Sequence, residues 1–231
     1  MTIEEIIQRI QSLYSKGVQS DDSRLKPRHI YNKLLSARSA VLTIAAKTQG
    51  LSTFNYQELP CVELVEVEPG LCSCLPSNCT IKRTKYRIPT LLYTGRYSAI
   101  KSVSSIDGSV LFSETSFDKL GFIKGNRYTK QNPFWYERDG YIYVENRFGI
   151  DVISLVGLFS DPFEASLFPS YCGNDETDCI SVQEFEFPID PAYIEDIIKL
   201  ALAELVGLFS QAIEDTTNDT KDSESPQNEN V

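Results

Sequence analysis

The chain has 231 residues, 42% hydrophobic and 23% charged, with a formal net charge of −10. That length supports a sizeable core in one domain, with or without an appendage. The acidic balance argues against nonspecific nucleic-acid binding, which depends on Lys and Arg releasing phosphate counterions.

At the N-terminus, Thr2 and Glu5 make a capping box, and Ile3, Ile6, Ile7, Ile10, Leu13 and Tyr14 then recur on one helical face. The pattern predicts a first helix over about 3–16, stopped by Gly17. The glutamates of MTIEEIIQRI stand where a signal peptide needs positive charge, and no apolar run nears the roughly 20 residues that span a bilayer. Synthesis in the cytoplasm, with no membrane partner, is the expectation.

Pro27 has the fixed φ and missing N–H that suit a first helical position, and it starts a second helix with the stripe Ile30, Leu34, Ala37, Val41 and Ala45. Gly50 ends it. Asp21 and Asp22, ahead of this start, read as caps or local ion-pair partners of Arg24 and Arg28 rather than as an acid–base dyad. Two such helices cannot bury both faces alone.

From Pro60 the period falls to two. VELVEV at 62–67 alternates apolar and acidic residues, and Asp107-Gly108 and Asp139-Gly140 each separate two strand-like runs. Each Asp-Gly predicts a type I′ hairpin. DVISLVGLF at 151–159 and SVQEFEF at 181–187 would extend the sheet. The pentapeptide VGLFS occurs at 156–160 and 206–210 with unrelated flanks, so it marks no repeat. After Asp190-Pro191 the helical period returns through Ile194, Ile197, Ile198, Ala201, Leu202, Leu205, Leu208 and Phe209. This third helix, about 191–213, is the natural cover for the first two.

The predicted fold is therefore α+β: a helical layer of two N-terminal helices and a long C-terminal helix, with a central antiparallel β-rich part of hairpins. Residues 1–59 and 189–213 form the helical part, 60–188 the β-rich part, and 214–231 an acidic polar tail. Charge is split between the ends. Residues 1–48 carry a net +4 and residues 211–231 a net −5.

Motifs for chemistry are sparse. His29 is the single histidine, in the first turn of the second helix, and reads as a surface or interface residue. No phosphate-binding glycine loop, dinucleotide fingerprint, nucleophile elbow or zinc-protease motif is present, and no enzyme is expected. Cys61, Cys72, Cys74 and Cys79 have irregular C-x-C-x₄-C spacing, and zinc, disulfides and free thiols all stay open. No cofactor is expected unless that quartet holds zinc. Cys172 and Cys179 flank GNDETD and would bridge it only under oxidising conditions. The aromatics of NPFWYERDGYIYVENRF, Trp135 among them, read as cross-strand packing, with carbohydrate or single-strand stacking as the alternative.

Asp21-Asp22-Ser23-Arg24-Leu25, Arg28, Ile30-Tyr31, Leu34-Leu35 and Arg38 resemble a motif near the start of a virion structural protein of crAss-like and related Bacteroidetes tailed phages. The resemblance continues through LPCVELVEV, KRTKYRIPTLL, SIDGSVLF and GNRYTKQNPFWYERDGYIYV, over roughly residues 20–145. It implies a head-to-tail connector, an adaptor ring docked below the portal, usually of twelve copies, around the DNA exit channel. Portal and other neck or tail ring proteins would be its partners, and DNA would pass without sequence-specific binding along an acidic wall that repels phosphates. Arg24, Arg28, Lys33 and Arg38 on the second helix are the expected partner contacts, followed by the tail through Glu214 and Asp215. The rival is a tail-associated module that binds a glycan or another tail protein through the aromatic β part.

Overall fold

The helices form from their sequence signals in the computed structural model, which describes residues 1–17, 25–48, 50–67, 81–95, 98–129, 132–145, 149–172 and 181–210. Helix α1 (Ile3–Tyr14) carries the capping box: Glu5 N–H donates to Thr2 Oγ1 at 3.3 Å and Thr2 N–H donates to Glu5 Oε2 at 2.9 Å. Past its C-terminus, Gly17 sits at φ +83° and its N–H reaches the Ser12 carbonyl. Helix α2 (Pro27–Thr48) starts at Pro27, and Gly50 (φ +84°) returns its N–H to the Ala45 carbonyl.

SVQEFEF does not extend the sheet. Its carbonyls serve α1 instead: Ile3 N–H donates to Phe185 O at 3.0 Å and Glu4 N–H to Gln183 O at 2.9 Å. The first N–H groups of a helix lack internal partners, and this segment satisfies two of them.

Seven strands are seen among the described residues: β1 (Gln57–Glu66), β2 (Ile81–Thr84), β3 (Ile100–Ser105), β4 (Leu111–Glu114), β5 (Phe134–Arg138), β6 (Tyr141–Glu145) and β7 (Val152–Gly157). They close into a barrel in the order β1-β2-β6-β5-β4-β3-β7. This corrects the expected fold class. The centre is a closed barrel rather than a set of antiparallel hairpins beside a helical layer, although the broad α+β class is compatible with it. Closure rests on antiparallel pairings between strands far apart in the chain, β2 with β6, β3 with β7 and β1 with β7, and on one parallel pair. β1 lies antiparallel to β7, and β4 lies parallel to β5 across the crossover 115–133, which holds the short helix α3 (Leu120–Gly125). Closure leaves no strand edge unpaired around the ring.

Alternation sends Leu59, Val62, Leu64, Val103, Phe112, Trp135, Ile142, Val144, Ile153 and Leu155 inward, so the barrel is packed rather than open. A bulge at Pro60-Cys61 lets both Leu59 and Val62 point inside, with Cys61 at φ +55°. Proline cannot donate to a ladder, so a bulge is where it fits. After β7, Asp161 caps the short helix α4 (Pro162–Ser166).

A 3₁₀ turn (Pro191–Tyr193), capped by Asp190, leads into α5 (Ile194–Ser210). A second core joins Ile3, Ile6 and Ile10 of α1, Ile30, Leu34 and Leu42 of α2, and Ile197, Ile198, Ala201 and Leu205 of α5. Leu92, Leu158, Phe187 and Ile189 belong to it as well, and they seat the helices against one side of the barrel. Burying each such large aliphatic side chain contributes about 1.5–3 kcal/mol.

Candidate functional site

Arg38 is 0% exposed and sits where α2 meets the barrel. Its Nη1 donates to the Phe159 carbonyl at 2.7 Å, Nε to the Pro188 carbonyl at 3.4 Å and Nη2 to the Asn55 carbonyl at 3.4 Å. The guanidinium also lies 5.8 Å from the Phe187 ring centroid. Three chain segments thus end on one side chain. Beside it, the Tyr31 hydroxyl donates to Asp161 Oδ1 at 2.6 Å, and the same oxygen caps α4 through Phe163 N–H at 2.9 Å.

Burial lowers the Arg38 pKa to about 10, opposed by the nearby Tyr31 and Asp161. It remains a cation at neutral pH. The Tyr31 phenol is pushed far above its ordinary range, by burial first and by its hydrogen bond to Asp161 second. Asn55, also buried, completes the junction by accepting the Asp190 N–H at 2.9 Å.

Arg38, one of the expected partner contacts, is fully buried here, with its N–H groups on carbonyls of its own chain. The remaining residues of that set lie in different places. Lys33 pairs with Glu204 of α5 at 3.0 Å, each side chain about one-third exposed. Arg28 is exposed at the mouth of a groove of about 660 Å³ lined by Ile7, Pro27, Tyr31, Asp161 and Val182. Arg24, Glu214 and Asp215 lie outside the described residues, as do Asp21, Asp22 and the acidic tail.

The structure joins Cys61 to Cys172, with Cα atoms 5.6 Å apart and a separation of 111 positions in sequence. A disulfide sulfur is not a thiolate ligand, so Cys61 in this state supplies no zinc bond. Cys172 is likewise taken from any bridge to Cys179. Cys72, Cys74, Cys79 and Cys179 lie outside the described residues.

Trp135 is 3% exposed inside the barrel, and Phe134 is buried beside it. Neither offers a platform for a sugar or a base, which removes the anchor of the glycan-binding alternative. On the outer wall, Tyr136 and Tyr143 stack with centroids 5.0 Å apart, and Phe117 tilts onto Tyr136 at 5.9 Å. These aromatics pack against each other.

The same wall carries arginines that the sequence reading passed over. Across the register, Arg83 of β2 faces Tyr143 of β6, and its guanidinium lies 4.5 Å from the Tyr141 ring centroid. Arg87 approaches that ring to 5.6 Å. Arg138 stacks on Phe117 at 4.7 Å and meets Asp139 at 3.4 Å. Neighbouring lysines are paired, Lys85 with Glu63 at 2.7 Å and Lys82 with Asp151. Arg83 and Arg87 form no ion pair with a described carboxylate. The run KRTKYR was the available signal, and only the barrel register shows which of its cations converge.

Geometry and sequence comparison meet at this point. The family model described as phage tail ring protein 2 matches residues 5–228. Ring protein 2 of Bacteroides phage crAss001 is 24% identical over 229 residues, covering 96% of this chain and 97% of that relative.

Proposed function

The chain belongs to the phage tail ring protein 2 family, and on that premise we propose that it is a noncatalytic subunit of a closed ring in the head-to-tail connector. The family match over nearly the whole chain carries this reading. In the proposed arrangement a homo-oligomeric ring, with twelve copies as the expected stoichiometry, docks against the portal or a neighbouring ring protein. The genome passes through it.

The physical properties of the subunit support the proposal. A barrel without strand edges next to a separately packed helical layer makes a rigid block, suited to repetition about an axis. The net charge of −10 disfavours tight phosphate binding along a channel. Arg28, exposed beside its groove, is the expected α2 contact that stands open to meet the portal side.

Native mass spectrometry and negative-stain imaging of the purified protein, alone and with the portal protein, test this reading. Closed rings that add to portal assemblies are expected. A protein that stays monomeric under both conditions, and is absent from the tail axis of particles, would contradict it.

A further inference from the structure

We propose that the outer barrel wall around Arg83, Arg87 and Tyr141 is a docking site for the acidic C-terminal segment, residues 211–231, of an adjacent copy of this chain. The inference rests on the ring reading and adds the contact that joins one copy to the next.

Two guanidiniums converge on one phenol ring, at 4.5 and 5.6 Å, without a described carboxylate to neutralise either. A guanidinium over a ring face keeps its in-plane N–H groups for carboxylates, which can accept two parallel hydrogen bonds from it. Arg83 also carries a buried Nε with no hydrogen-bond partner among the described residues. The nearby cations Lys82, Lys85 and Arg138 already have carboxylate partners, so the unmatched charge centres on Arg83 and Arg87.

The chain supplies the matching anion. Residues 211–231 contain Glu214, Asp215, Asp219, Asp222, Glu224 and Glu229 against the single Lys221. With almost no large apolar side chains, this segment gains little by packing on a core and much by charge pairing. Its 21 residues reach roughly 70 Å when extended.

Topology favours a neighbour as the recipient. α5 runs antiparallel to α2, with Glu204 beside Lys33 and Tyr193 beside Val41 and Ile44, so the tail departs from the Pro27 end of the helical layer. The arginines stand on β2 and its following loop, and β2 and β6 add nothing to the core shared by the helices. A tail leaving one copy's helical layer for another's barrel wall is a head-to-tail contact, and its repetition closes a ring.

Two full-length variants test the proposal. One carries Arg83→Glu and Arg87→Glu; the other replaces the six tail acids with amides (E214Q, D215N, D219N, D222N, E224Q and E229Q). Each alone should lose self-association in sedimentation velocity while keeping its circular dichroism. Mixed, they should pair, since one keeps an acidic tail and the other keeps the arginines.

Rings that persist in both variants would overturn tail capture and leave the ring reading standing. A mixture that fails to pair would overturn the adjacent-copy contact. Where the wild type itself remains monomeric, the ring reading fails separately, and a labelled 211–231 peptide reads capture directly. It should bind the tail-neutralised chain, at least tenfold more weakly after Arg87→Ala or in 0.5 M salt; absence of binding would overturn the proposal. Retention of a short DNA duplex through the same arginines, with self-association unchanged, would assign the face to phosphate and overturn it too.

Discussion

Arg38 and the Arg83/Arg87 pair put the same side chain in opposite circumstances. Arg38 is buried, with three main-chain carbonyls around it, and its charge is spent inside the fold. Arg83 and Arg87 lie over a tyrosine on the barrel wall, with ring faces for neighbours and no described acid. The difference teaches that charge alone does not mark a contact surface. What decides is how many acceptors the fold itself brings to the guanidinium, because a saturated cation offers nothing to a partner.

The largest effect that sharpens this contrast comes from Arg38→Ala. Removing the guanidinium leaves three carbonyls to find partners in a water-poor junction, and a loss on the order of 3–5 kcal/mol is expected. Urea unfolding measures it; a change under 1 kcal/mol would show the junction to be wet and Arg38 dispensable. Next, reduction or Cys61→Ser opens a link across 111 residues. Chain entropy puts its contribution at up to about 4–5 kcal/mol, less where the open form keeps residual structure. Without reductant, peptide mapping should show a linked Cys61–Cys172 peptide that reduction splits; its absence would remove the bridge.

Tyr31→Phe deletes one hydrogen bond and keeps the ring, so a smaller loss of about 1–2 kcal/mol is expected. Alkaline pH probes the same group. Burial raises the phenol pKa of Tyr136 to about 12, from 10.0, and raises Tyr31 further. Between pH 10 and 12 the folded chain therefore holds protons that the unfolded chain has released, and stability falls as pH rises. Arg38 works the other way, since its folded pKa is lowered to about 10, yet the large rise at Tyr31, together with that at Tyr136, outweighs one guanidinium. Denaturant midpoints at pH 8 and 11 should fall, and fall less in Tyr31→Phe. The smallest effect on stability belongs to exposed Arg87: Arg87→Ala should stay within about 0.5 kcal/mol of wild type. A large loss there would make the outer wall a second structural junction and erase the contrast.

Local signals were legible where chemistry is local. The Thr2–Glu5 capping box, the Pro27 start and the Gly50 stop each come from nearby backbone geometry, and all three were readable. Asp139-Gly140 takes positive φ at both residues, as a type I′ turn requires. Asp107-Gly108 does not. Only Gly108 is left-handed there, and Ser105 pairs with Val110 around a longer loop in which Asp107 accepts hydrogen bonds from Ser105 and Ser109.

The barrel was not legible, because its closure depends on partners distant in the chain. β2 is four residues with two cations, and the parallel β4–β5 pair spans a crossover no short motif announces. The alternation in SVQEFEF was real, but its backbone serves the start of α1. Arg38 had a readable signal. It falls four residues after Leu34 and four before Leu42, on the stripe that the helix buries, and a cation at such spacing needs acceptors from elsewhere in the fold. Arg83 and Arg87 had only the basic run KRTKYR, which does not show, before the register and the following loop are in place, which of its cations converge.

The most direct measurement is a cryo-electron reconstruction of the virion tail with this subunit placed in it. A closed ring in the connector is expected, with the 211–231 segment of each copy lying along Arg83 and Arg87 of the next. A subunit found off the tail axis, or a ring in which those arginines face DNA or solvent and the acidic segment lies elsewhere, would contradict it.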